Sequence, residues 1–65
     1  MLSVMNYCLN VQTKLRKLAP ETVEGKREWF GDTGRASVAV SHAMEGKDSK
    51  ALRISEKLAD KYNII

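Results

Sequence analysis

The residues best suited to chemistry in this chain lie in one stretch of thirteen, from Gly34 to Gly46. The stretch predicts a glycine turn, then a short helix, then a second glycine that ends the helix. Apolar Val40 and Ala43 mark one side of this predicted helix, and small or hydrogen-bonding side chains mark the other. A short helix with such an outer side fits the major groove of DNA, which is about 12 Å wide.

The segment before this stretch must position it, and it predicts a second helix over about residues 21–33. Thr22 or Glu21 can begin the helix, and Val23, Arg27 and Phe30 share one face of it. Glycines within the segment weaken the helix by about 1 kcal/mol each. The aromatic residues Tyr7, Trp29 and Phe30 are interpreted as core side chains.

The two ends of the chain predict two further helices. From Leu2 to Leu18, apolar residues recur at alternating steps of four and three, which indicates an amphipathic helix that Ser3 can cap. Its stripe is interpreted as core, with a dimer seam as the alternative: Val4, Cys8, Val11, Leu15 and Leu18. From Asp48 to Tyr62, a second stripe predicts a helix capped by Asp48 or Ser49: Ala51, Ile54, Leu58 and Tyr62. Asn63-Ile64-Ile65 follows as an apolar tail.

The middle of the chain resembles a helix-turn-helix of the phage repressor and Cro-like type, and also the LacI-like headpiece. The resemblance covers about residues 26 to 62 and is strongest where Val40-Ser41-His42-Ala43-Met44-Glu45-Gly46-Lys47 matches the family pattern "VSrvlnGk". Phe30 departs from the pattern, because the families place a small alanine four residues before the turn glycine, here Gly34. The fold expected from this resemblance is a single all-α domain over residues 1–65, with four to five short helices and a central helix-turn-helix at about residues 22–46.

The resemblance implies that the helix after Gly34 reads base edges in the major groove. The residues expected to read bases are Ala36, Ser37, Val38, Ser41 and His42. The residues expected to contact phosphates are Lys26, Arg27, Arg35, Lys47 and Lys50, each equally suited to a solvated surface.

Length and composition limit the function further. A chain of 65 residues with a formal charge of +3 permits nucleic acid as a partner without requiring it. Cys8 is the only cysteine, which excludes an internal disulfide and a four-ligand zinc motif, and no metal or other cofactor is predicted. There is no long apolar run and no leader-like segment at Met1–Met5, so we expect a cytoplasmic protein with no membrane contact. No nucleotide-binding loop or histidine pair indicates an enzyme, and the Asp-Thr-Gly triplet at Asp32–Gly34 is interpreted as accidental.

These observations favour a small sequence-specific DNA-binding regulator of phage or mobile-element type, a homodimer that acts by occupying double-stranded DNA. The alternative is a helical protein-interaction module, an antirepressor or inhibitor that does not bind DNA; a subunit of a larger assembly is a third possibility. A DNA binder should gather its five basic residues on one side. An interaction module should expose an apolar patch, such as the Val4–Leu18 stripe or the Ile64-Ile65 tail.

Overall fold

A computed structural model of the chain describes residues 3 to 64, and these residues form three helices and no strand. Helix α1 spans Val4–Arg16, α2 spans Val23–Met44 and α3 spans Asp48–Tyr62. The expected all-α class is confirmed, but the expected number of four to five helices is wrong. Leu2, where the first predicted helix began, and Ile65, in the predicted tail, lie outside the described residues.

The number is lower because α2 is a single helix of 22 residues that joins two segments predicted to be separate. The turn predicted at Gly34 is therefore wrong. Among the described glycines only Gly46 has a positive φ, of 79°, so Gly34 keeps ordinary right-handed helical geometry. A glycine inside a helix costs about 1 kcal/mol relative to alanine, and burial of neighbouring side chains in the bundle offsets that cost.

The ends of the helices agree better with the sequence pattern. Ser3 caps α1 by accepting a hydrogen bond from the Asn6 backbone amide at 3.1 Å. Thr22 caps α2 in the same way, from the Gly25 amide at 3.0 Å. Gly46 follows the end of α2, as predicted. The caps predicted for α3 are wrong: Lys47 precedes that helix without a side-chain cap, and Asp48 lies in the first turn, where a carboxylate favours the helix dipole.

The helices run up, down and up, so α2 is antiparallel to both of its neighbours. Gln12 of α1 bonds to Ser37 of α2 near the middle of the bundle, and the Leu15 carbonyl accepts from Trp29 nearer the start of α2. Lys61, near the end of α3, contacts Asp32 in the first half of α2. The molecule is about as long as its longest helix, 35 Å.

The core is narrow and built largely from small side chains. One cluster contains Val11, Leu15, Ala36 and Leu58, and a second contains Cys8, Ala39 and Ala51. The predicted α1 stripe is thus confirmed as core at Cys8, Val11 and Leu15, while Leu18 lies beyond the helix and is exposed. Small residues let the three helices approach closely, but they bury little apolar area.

Candidate docking surface on the second helix

The five residues expected to read bases do not share one exposed face of α2. Ala36 is buried in the core, because its position in the helical period falls on the inner side with Asp32 and Ala39. Ser37 is half-buried; its hydroxyl accepts a hydrogen bond from Gln12 at 2.8 Å and donates one to the Thr33 carbonyl at 3.3 Å.

The other three residues of that set point in different directions around the helix. Val38 and Ser41 are exposed, and His42 is half-buried. The Nδ1 atom of His42 is buried and has no hydrogen-bond partner among the described residues. The structure therefore leaves two of the five fully available to an outside partner.

The five basic residues expected at phosphates are also spread out. Lys26 and Arg27 lie in the first turns of α2, whereas Lys47 and Lys50 lie past its other end, about 30 Å away at 1.5 Å per residue. Arg35 forms an ion pair with Asp32 at 2.7 Å, and Lys47 forms one with Glu45 at 3.1 Å. Lys47 lies next to His42, whose carbonyl accepts a hydrogen bond from the Lys47 amide at 2.8 Å, but Lys26 and Arg27 lie far from Ser41 and His42.

The inner side of α2 carries a polar cluster that the sequence did not predict. Asp32 is only 2% exposed, yet its carboxylate accepts hydrogen bonds from Arg35 at 2.7 Å, from Lys61 at 2.8 Å and from the Tyr62 hydroxyl. Lys61 also contacts the exposed Glu28. This cluster joins the first half of α2 to the last turn of α3.

The hydrogen bonds in this cluster decide its protonation. Burial by itself raises the pKa of Asp32, but the bonds from Lys61, Tyr62 and Arg35 outweigh burial and lower that pKa below its usual range. Burial, with the Asp32 hydrogen bond next, raises the pKa of Tyr62 to about 12. Hydrogen bonds to Asp32 and then Glu28 raise the pKa of Lys61. Near neutral pH the cluster therefore holds an ionised carboxylate between charged and neutral donors.

The side of α2 turned away from the buried Asp32, Ala36 and Ala39 has a different character, and its α1 edge contacts α1 through the bond between Gln12 and Ser37. We call it the outer face; its residues alternate by steps of four and three, and they are Val23, Arg27, Phe30, Gly34, Ser37, Ser41 and Met44. Val23 is 71% exposed, Phe30 64% and Met44 72%. The interpretation of Phe30 as a core residue is wrong, because the period that buries Asp32 and Ala36 turns Phe30 outward.

Trp29 lies beside the outer face and contacts both α1 and Phe30. Its indole nitrogen donates to the Leu15 carbonyl at 2.8 Å, and its ring lies 5.1 Å from the ring of Phe30 at a tilt of 57°. Tilted pairs at this spacing are a favourable aromatic geometry. The exposed ring of Phe30 thus packs against the half-buried ring of Trp29, which a hydrogen bond to α1 holds in place.

A groove between α1 and α2 runs beside Phe30. It is open to solvent, has a volume of about 470 Å³ and is lined by Arg16, Trp29, Phe30, Thr33, Gly34 and Ser37. A Cβ added at Gly34 would meet no atom within 4 Å, so the missing side chain opens the groove to solvent. Arg16 forms no ion pair with any residue in the described range, which leaves a free cation at the rim.

The fold and this surface define a small antiparallel three-helix bundle with an exposed aromatic residue beside a groove. In comparisons with known proteins, the chain matches no family model, no curated protein and no solved structure. Among the helices of the described range, none is both long enough and apolar enough to cross a bilayer.

One signal in the sequence could have revealed the outer face. In one uninterrupted helix, Asp32, Ala36, Ala39 and Ala43 recur at helical spacing. The residues half a turn away are then Phe30, Gly34, Ser37 and Ser41. No comparable signal marks the Asp32 cluster, because Asp32 and Lys61 lie 29 residues apart.

Proposed function

We propose that this chain is a protein-interaction module that docks a helix of its partner on the outer face of α2. The observation that carries the proposal is the 64% exposure of Phe30, between two still more exposed apolar residues at the ends of the same face. Burying exposed apolar area gains about 25 cal/mol per Å², so a face of this kind favours association. The three apolar residues are separated along the face by Arg27, Gly34, Ser37 and Ser41, so a partner would contact them as single exposed side chains.

A helix is the partner element that suits the shape of this surface. The outer face belongs to one uninterrupted helix about 33 Å long, and a groove lies at its α1 side between Trp29 and Ser37. A helix laid along it would present apolar residues at i, i+3 or i+4, and i+7. The groove beside Gly34 would take one large side chain of such a helix.

Sequence-specific binding of DNA is the other candidate and stays a prediction. It has the resemblance around Val40–Lys47 and the formal charge of +3 in its favour. The separation of Lys26 and Arg27 from Lys47 and Lys50, and the burial of Ala36, support docking of a protein instead. The two functions differ in what Phe30 does, since Phe30 departs from the family pattern and has no assigned role on a duplex.

The test is a selection of helical peptides from a displayed library against the full chain, followed by affinity measurement on two matched variants. Phe30→Glu places a charge in the centre of the outer face. Leu18→Glu places the same charge at another exposed apolar residue, beside a separate groove lined by Tyr62 and Ile64. We expect the selected peptides to bind the wild type and Leu18→Glu equally and to bind Phe30→Glu at least ten times more weakly.

Duplex DNA is measured in parallel by fluorescence anisotropy at low and high salt. A DNA-binding domain should bind the duplex with an affinity that falls steeply with salt and that Phe30→Glu leaves nearly unchanged. That result, together with a selection that enriches no Phe30-dependent peptide, would replace the docking function with the DNA-binding one.

A further inference from the structure

The outer face of α2 is self-complementary about its centre. Phe30 projects from it, and the groove that begins beside Phe30 extends one to two turns further along the helix, to Gly34 and Ser37. We infer that the helix docked here is α2 of a second copy of this chain, antiparallel and related by a twofold axis at Gly34. This inference rests on the proposed docking function and names its partner.

The spacing of the face supports the twofold axis. With Gly34 opposite Gly34 of the second copy, Phe30 lies opposite Val38, one residue from Ser37 at the end of the other chain's groove, and enters that groove. The same axis places Val23 within one residue of Met44 of the second copy, so the two most exposed apolar residues of the face cover each other. An interface between identical chains requires this property, in which one patch is complementary to itself.

Charge supports the antiparallel direction over the parallel one. Parallel helices in register would bring Arg27 against Arg27, with like charges in contact. The antiparallel arrangement places Arg27 opposite Ser41 and one turn from Glu45, an exposed carboxylate that also pairs with Lys47 of its own chain at 3.1 Å. The free cation of Arg16 lies at the rim of the groove that receives Phe30, where a guanidinium can stack on an aromatic ring.

The centre of the face allows close approach. Gly34 presents no side chain, and the space where its Cβ would stand is open. An interface formed by one helix and the adjoining groove lies near or below the lower end of stable interfaces, about 1,200 Å² in total. We therefore expect a weak dimer, in the micromolar range, that is concentration-dependent.

Sedimentation of the full chain over a range of concentrations tests the inference. We expect a monomer–dimer equilibrium, loss of the dimer in Phe30→Glu and in Met44→Glu, and no change in Leu18→Glu. Circular dichroism of each variant confirms that the helices persist. Arg27→Glu should weaken the dimer, and the double variant Arg27→Glu with Glu45→Arg should restore it.

Single cysteines test the position of the axis. Under mild oxidation, Gly34→Cys should cross-link to itself between copies, whereas Ser41→Cys should not, because only residues on a twofold axis face their own copy. Native Cys8 is buried and gives the background control. Self-cross-linking at both positions would contradict the antiparallel arrangement.

The outcomes separate this inference from the proposed function. A chain that stays monomeric at all concentrations, yet binds selected peptides in a Phe30-dependent way, would overturn the second copy as partner and leave the docking function standing. A dimer that both glutamate variants leave intact would place the dimer contact elsewhere and overturn the inference. A monomer that also enriches no Phe30-dependent peptide would overturn both.

Discussion

The two sides of α2 reverse the usual distribution of polarity in a helix on the surface of a bundle. The side toward α3 buries a carboxylate, Asp32, at 2% exposure, while the side toward solvent displays Phe30 at 64%. In most amphipathic helices the aromatic residue faces the core and the carboxylate faces water. The two sides differ in whether contacts within the chain satisfy their side chains.

The inner side is complete at Asp32. Three donors on two helices satisfy the Asp32 carboxylate, and the contacts with Lys61 and Tyr62 set the register of α3 against α2. The outer side is incomplete, because its apolar residues have no neighbour beyond Trp29 that shields them from water among the contacts described. A buried charge that is fully paired indicates a contact within the chain, whereas an exposed ring beside an open groove indicates a contact between chains.

The largest expected effect comes from breaking the complete side. Asp32→Ala removes the carboxylate and leaves Lys61 and Tyr62 without their shared acceptor, so we expect a loss of about 3 kcal/mol of unfolding free energy. Urea denaturation followed by circular dichroism measures it. Glu28→Ala is the matched control, because it removes the exposed partner of the same lysine and should change stability by less than about 1 kcal/mol. Equal effects of the two substitutions would contradict the central place of Asp32.

Acid should weaken the same cluster. The pKa of Asp32 is lower in the folded chain than its usual value of about 3.9 in an unfolded chain. The unfolded state therefore binds the proton more readily, and the stabilisation by this carboxylate is present above about pH 4 and is lost as pH falls through the folded pKa. We expect the urea midpoint to fall between about pH 5 and pH 2. Asp32→Asn should have a flatter profile over that interval, and an unchanged slope would exclude Asp32 as the responsible group.

The sequence predicted α1 and α3 well and α2 poorly, and the reason is physical. In α1 and α3 a regular apolar stripe meets the core, and local pattern and tertiary packing agree. In α2 the local signals at Gly31 and Gly34 favour a break, but burial of Asp32, Ala36 and Ala39 outweighs them. A predicted break at Gly34 separates the helical periods of the two segments, so Phe30 is predicted inside and Ala36 outside, the reverse of what the structure shows. The wrong prediction of a turn at Gly34 therefore also gives wrong predictions of which α2 residues are exposed.

Gly34 distinguishes a continuous helix from a turn directly. In the middle of a helix with open space at its Cβ position, Gly34→Ala should stabilise the monomer by about 1 kcal/mol. In a turn that needed a positive φ, the same change would destabilise. Denaturation at a concentration below that of self-association measures the effect on the monomer alone.

Gly25 is the matched control for that substitution. A Cβ at Gly25 would stand 2.6 Å from the Thr22 hydroxyl oxygen and 2.9 Å from the Pro20 Cβ, so it would disturb the cap of α2. Gly25→Ala should therefore destabilise the chain, by at least the roughly 1 kcal/mol that loss of a cap costs. Opposite signs for the two glycines are expected only if α2 is continuous through Gly34 and capped at Thr22.

The smallest effect on the monomer is expected at the incomplete side. Phe30→Ala removes a ring that is mostly in water, so the gain in helix propensity and the loss of the contact with Trp29 should nearly cancel, within about 0.5 kcal/mol. Leu15→Ala, in the core, should cost about 2–5 kcal/mol by comparison. Both are measured by urea denaturation of dilute protein. A large loss of stability in Phe30→Ala would show that the ring stabilises the bundle itself. That result would contradict the proposal that the outer face is a docking surface.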